Sequence, residues 1–343
     1  MFAPLWSLRL AWLGIVIVCV VIILGAWTRL ADAGLGCPDW PGCYGSLLVP
    51  TEPQSIAAAE ALYPDAPVDI AKGWLEMIHR YFATGLGFVI LLLSLLSWRY
   101  RYQLGYPFKH SQLLLAMVIL QGTFGAWTVT WKLLPQVVTS HLLGGFMTAG
   151  LLMLFLIRLY QMGRPVEALR LVRLSQKQLQ RWVIAGLLLL VVQIFLGGWM
   201  SANYAAMACS DLPACNGEWW PEQNFRQGFN LTQILGPNYL GGLLDSSSRK
   251  AIHITHRIGA VVLTVYMLYL GLILWRNPDQ RLRYLAYTTW ALITLQFALG
   301  LANIYFYLPL PIAVAHNFGA ACLFLLMLSL MYLTQSCRGA INE

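Results

Sequence analysis

The sequence predicts an all-α integral membrane protein whose eight transmembrane helices form two pseudo-symmetric four-helix bundles. Three observations predict it. Hydrophobic residues make up 59% of the 343 and charged residues only 10%, with a mean hydropathy of +0.63. Soluble domains carry about 25% charged residues, a gap that a large core does not close. Apolar runs of about 20 residues recur along the chain, each enough to cross a hydrocarbon layer of about 30 Å. Third, the second half repeats the first. The net charge of +8 is spread over the loops between apolar runs, with no basic stripe or tail. That pattern belongs to membrane topology rather than nucleic-acid binding.

The spans are 9–30, 74–98, 111–131, 136–158, 182–202, 251–275, 284–304 and 311–334. Ala31-Asp32-Ala33, just after the first span, resembles a signal-peptide cleavage site. The apolar run before it is too long for a signal peptide and span five repeats its features, so it is kept as a mature helix. Arginine and lysine fall mostly on one side, which carries Arg9, Arg99, Arg101, Lys109, Arg158 and a basic run from Arg164 to Arg181. The positive-inside rule makes that side cytoplasmic. Both termini then lie inside a cell (inner) membrane, and the long loops 31–73 and 203–250 lie on its outer face. A basic linker, 159–181, joins an N-terminal half, 1–158, to a C-terminal half, 182–343.

The repeat is specific. Gly25-Ala26-Trp27 through Cys37 and Cys43 aligns with Gly197-Gly198-Trp199 through Cys209 and Cys215 at a constant offset of 172. Glu76, His79 and Arg80 align with His253, His256 and Arg257 at 177; Gln121 and His141 align with Gln296 and His316 at 175. Four spans return the chain to its starting side, so the repeat is parallel and the expected pseudo-two-fold axis lies along the membrane normal.

His79, His141, His256 and His316 fall one per helix in spans two, four, six and eight, near the outer end of each. Two histidines on neighbouring helices at equal depth can ligate a heme iron from both faces. Gly85, Gly87, Gly144, Gly145, Gly259 and Gly319 leave room for a flat macrocycle. A lone intramembrane histidine is as readily a hydrogen-bonding strut between helices; four at matched depth in a duplicated frame favour a functional site. Zinc needs three or four converging ligands, and each half offers two. Arg80 and Arg257 are candidates to pair with heme propionates, or to snorkel to the interface. His253, three residues before His256, is a weaker alternative ligand, and His110 is expected at the cytoplasmic interface.

Cys37 with Cys43 and Cys209 with Cys215 form two pairs of identical spacing in the outer loops, where disulfides persist. Structural and redox-active roles are both open for each, with a shared four-cysteine zinc site a remote third choice. Cys19, Cys322 and Cys337 read as packing residues. Glu76 stands where the second half has His253, on the same helical face as His79. A carboxylate there can stabilise developing positive charge or move protons, or it can pair with Lys72 as a surface group. The asymmetry within a duplication suggests that the first half is catalytic and the second carries electrons.

The run Thr28-Arg29-Leu30 through Gly34-Leu35-Gly36-Cys37-Pro38-Asp39-Trp40-Pro41-Gly42-Cys43, with Glu76, His79-Arg80, Ser140-His141 and Thr255-His256-Arg257, resembles the heme A synthase family in its cysteine-containing type. The resemblance covers essentially the whole chain. It implies a membrane-bound oxidoreductase that oxidises the C8 methyl of heme O to a formyl by successive hydroxylation, giving heme A for terminal oxidases. It further implies that His79 and His141 border heme O and that Glu76 is required for the chemistry. His256 and His316 become the axial ligands of a bound heme B, with Cys37 and Cys43 the functional cysteine pair. Implied partners are a heme O synthase, an electron donor and the bilayer; a homo-oligomer stays open. Two rivals remain: a di-heme b-type cytochrome that only transfers electrons, and a heme or thiol-redox transporter.

Overall fold

The computed structural model describes residues 3–163, 169, 171 and 175–339, with side chains through Gln335. Arg164, Arg170 and Arg173 of the basic linker lie outside the described residues, as do the side chains of Cys337 and Arg338. The described residues hold eight helices long and apolar enough to cross a membrane. In chain order these are α1 (Leu5–Leu30), α3 (Ile70–Ser97), α4 (Phe108–Thr130), α5 (Pro135–Gln161), α6 (Gln176–Ala202), α8 (Ser246–Trp275), α9 (Gln280–Tyr305) and α10 (Leu310–Gly339). Two short helices, α2 (Pro53–Leu62) and α7 (Phe225–Gly228), lie in the long loops after α1 and α6.

Most helices begin several residues before the apolar runs. The reason is capping: Asp69, Ser175, Asp245 and Asp279 each accept a backbone N–H of the first turn, so polar residues outside the hydrocarbon are already helical. Hydropathy measures membrane thickness; the cap fixes the helix end.

Within the first half α1 packs on α3, α3 on α4, α4 on α5, and α5 back on α1. Within the second half α6, α8, α9 and α10 pack in the same cyclic order. Contacts of α5 with α6 and of α10 with α1 and α5 join the halves. One apolar core runs through both, from Leu93, Phe146 and Phe155 to Met267, Phe324 and Met327. Lipid tails are as apolar as leucine, so helices associate through close packing. Gly150 receives Phe324 and Leu328 across the junction, and Gly198 receives Leu142 and Thr139. Large side chains such as Leu188 and Val265 stay exposed, as a lipid-facing surface requires.

At the histidine-bearing end, Arg29 of α1 donates to the Ser201 carbonyl of α6, and its guanidinium lies 4.2 Å from the centre of the Tyr204 ring. Tyr239 N donates to Lys132 O at 3.0 Å, a second tie between the halves at that end.

Candidate functional site

Helices α3, α5, α8 and α10 all enter from the cysteine-loop end. Their histidines lie six to ten residues beyond the helix starts, or about 9–15 Å deep at 1.5 Å per residue. His79 and His141 are close enough to feel each other's charge, as are His256 and His316. Each half therefore brings two imidazoles together. The Nδ1 atoms of His79, His141 and His316 are buried and have no hydrogen-bond partner. Buried polar atoms are rarely left so unless a ligand completes them.

Each ring lies against a glycine of the neighbouring helix. A β-carbon at Gly25 would stand 2.9 Å from His79 Cε1; at Gly125, 3.4 Å from His141; at Gly197, 3.1 Å from His256; at Gly300, 3.2 Å from His316. Hydrogen at these four positions lets the helices approach closely enough to fix the ring edges. No atom lies within 4 Å of where a β-carbon would stand at Gly145, one turn past His141, so the first half keeps open space beside that histidine. Paired imidazoles, orphaned ring nitrogens and this space fit a heme.

Glutamines hold the two histidines of the second half. Gln193 Nε2 lies 3.1 Å from His256 Nδ1 and donates to His256 O at 3.0 Å. Gln296 Nε2 lies 3.4 Å from His316 Nε2 and donates to His316 O at 2.9 Å. Both side chains occupy the space above a glycine three residues past the histidine, Gly259 and Gly319, and Gln121 sits in the same way over Gly144 beside His141. His79 lacks this arrangement: by the repeat, Val21 stands where Gln193 does, and Phe82 where Gly259 does.

The two disulfide loops close the site from above. Disulfides join Cys37 to Cys43 and Cys209 to Cys215. The Asp39 carboxylate accepts the N–H groups of Tyr44 and Gly45 at 2.6 and 2.8 Å. Asp211 does the same for Asn216 and Gly217. Arg80 donates to the carbonyls of Pro41 and Gly42. Arg257 donates to the carbonyls of Cys209, Asp211 and Ala214 at 3.0, 2.8 and 2.8 Å. Each arginine thus staples a disulfide loop to the helix that carries the histidine. Glu76 is buried, accepts Cys37 N–H at 3.0 Å, and pairs with Arg80 at 2.5 Å. Its counterpart His253 is buried as well, with Nδ1 2.9 Å from the Ala205 carbonyl.

Residues 8–328 match the family model described as cytochrome oxidase assembly protein, COX15-CtaA. The chain belongs to that family. It is similar to the heme A synthase of Shewanella oneidensis, with 42% identity over 95% of each chain. The heme A synthase of Maricaulis maris is 28% identical over 93% of each, and that of a Chelativorans species 27% identical over 89% of this chain and 85% of its own.

The structure narrows several alternatives that the sequence left open. Glu76 pairs with Arg80 and the Cys37 amide, whereas the surface alternative would pair it with Lys72. The four loop cysteines are bonded within each loop, which leaves no thiols for a shared zinc site. Arg80 and Arg257 bond loop carbonyls. His110, expected at the interface, is buried. The glutamines and the four facing glycines carried no assigned role. Pairing of Gln121 with Gln296 in the repeat marks both without saying what they hold, and Gln193 has no counterpart to mark it.

Proposed function

We propose that this chain is a heme A synthase, taking heme O into the 1–158 half and oxidising its C8 methyl to a formyl by successive hydroxylation. The observation that carries the reading is one asymmetry. A buried carboxylate, Glu76, lies one turn from His79, where the other half has His253 bonded to a loop carbonyl beside a histidine clasped by a glutamine. In this reading His79 and His141 would border heme O, and His256 and His316 would hold a resident heme B. The heme B supplies electron relay. Glu76, fixed by Arg80 and the Cys37 amide, would stabilise positive charge that develops as the methyl carbon is oxidised. Cys37 and Cys43 hold the loop that positions it.

The residue pattern supports this over the rivals. An electron wire needs ligand pairs in both leaflets, and the end opposite the four histidines offers His110 alone. A transporter makes no product and has no need of Glu76. The positive-inside reading places the disulfide loops on the outer face of the cell membrane and both termini in the cytoplasm. The reaction calls for a heme O synthase as supplier and an electron donor.

The test is pigment extraction with mass detection after co-expression with a heme O supply. The wild-type chain yields heme A or its hydroxylated precursor alongside heme B. Glu76→Ala retains heme B and forms about 100-fold less heme A, stalling at heme O or a hydroxylated intermediate. Wild-type product from Glu76→Ala removes its assigned role. Heme B alone in the wild type, with heme O available, favours the cytochrome.

A further inference from the structure

At the end of the bundle opposite the histidines, the α3–α4 connection, the start of α4 and the end of α5 enclose a cavity of about 630 Å³, also walled by Tyr332 of α10. It is about 30 Å along α3 from His79, and nothing in the heme chemistry uses it. Its cationic residues are Arg101, Lys109 and Arg158, and none of the described lining residues is acidic. Arg101 lies over the Trp98 and Tyr102 rings and Arg158 over Tyr332, so stacking holds both guanidiniums in place while leaving N–H groups for a ligand.

The inner wall carries the second observation. His110 is 7% exposed, and neither ring nitrogen has a hydrogen-bond partner. The Tyr106 hydroxyl, which also lines the cavity, is likewise buried, with Ser7 of α1 the side chain nearest to partnering it. Burial pushes Tyr106 up to about 12, so it remains an O–H donor at physiological pH. Helix α4 starts at this wall without a side-chain cap, and the partial positive charge of its N-terminus adds to the field. Three cations, two buried groups able to donate and an open helix N-terminus make a site for an oxyanion.

We propose that this cavity binds a phosphate-bearing ligand, with His110 and Tyr106 donating to phosphate oxygens and Arg101, Lys109 and Arg158 balancing its charge. A phospholipid headgroup and a soluble phosphate both offer that chemistry. Basic pockets between transmembrane helices take anionic lipid headgroups, and the cavity opens at the membrane end that carries most of the arginine and lysine.

The full-length chain in detergent, with its hemes, is titrated with phosphatidylglycerol, phosphatidylcholine or inorganic phosphate, and bound ligand is counted by native mass spectrometry. Phosphatidylglycerol binds in preference to phosphatidylcholine, and Arg158→Gln weakens it about fivefold. His110→Leu weakens it as well, with the heme spectrum of both variants unchanged as the control for folding. Displacement of the lipid by inorganic phosphate identifies a soluble phosphate ester as occupant; resistance to it identifies the headgroup. Equal retention of the two lipids overturns the proposal, as does unchanged affinity in both variants. Since heme content is read in the same sample, failure here is distinct from failure of the synthase reading.

Discussion

Glutamine suits a buried histidine because its amide NH2 offers two donors from one short arm. At His256 and His316 that arm reaches ring nitrogen and backbone carbonyl together, which fixes both the ring's rotation and the helix register. Partners that orient a ligating histidine are typically worth about 10–100-fold in affinity for the metal group. Gln193→Leu is therefore expected to keep the fold, lose heme B about tenfold more readily during purification, and broaden its low-spin resonance. Identical retention and line shape would assign Gln193 to helix packing alone. Val21→Gln at the matching place in the first half is expected to stiffen His79 and slow turnover without changing the heme B signal. The four histidines were legible in the sequence because they repeat and ionisable groups in a membrane are conspicuous. The glutamines were not, since a polar residue on an apolar helix reads as a strut until its partner is known. Glu76 was legible through the break in the repeat, but its partner was not: Lys72 and Arg80 are both one turn away, and only the loop's fold selects Arg80.

At the scale of elements, the disulfide loops show how a short cystine ring is held in one shape. The aspartate two residues past the first cysteine takes two amides of the closing turn, at Tyr44–Gly45 and at Asn216–Gly217, where the backbone turns to positive φ. These amides hold the Asp211 carboxylate below its ordinary range. A carboxylate depressed in the folded state contributes stability above its unfolded pKa, and loses that contribution as pH falls through the folded value. Asp211→Asn is thus expected to raise hydrogen exchange at Asn216 and Gly217 at neutral pH. The difference from wild type should vanish as pH falls through the depressed folded value, below which the wild-type carboxyl is also neutral. A difference that persists in acid would mean that shape rather than charge holds the turn. Cysteine spacing alone showed two matched rings and left their chemistry open. Their docking onto α3 and α8 by Arg80 and Arg257 needed the structure, because a guanidinium beside a histidine points equally well to a propionate or a carbonyl.

At the scale of the whole molecule, four helices pack in the same cyclic order in each half, and the proposed division of work rests on what differs between them. The hydrophobic pattern gave span number and order; the cavity at the end opposite the histidines was invisible to it because Arg158 and Tyr332 are far in sequence from Tyr106 and His110 and meet them only when α4, α5 and α10 close. In the second half His256 and His316 are clasped, and His253 is tied to the Ala205 carbonyl, a set suited to a cofactor that stays. In the first half His79 is unclasped, Gly145 keeps open space beside His141, and Glu76 stands by, a set suited to a substrate that enters and leaves. The expected outcome is that His256→Ala and His316→Ala each abolish the low-spin heme B spectrum, while His79→Ala spares it and stops conversion of heme O. Optical and resonance spectra of the three purified variants check this together with their pigment content. Gly197→Ala supplies an independent arm, since its methyl would press on His256 Cε1 from 3.1 Å. It is expected to disturb the heme B signal, whereas Gly25→Ala, against His79, is expected to leave that signal intact and lower product. An unchanged heme B spectrum in both second-half histidine variants, with loss in His79→Ala, would reverse the two halves.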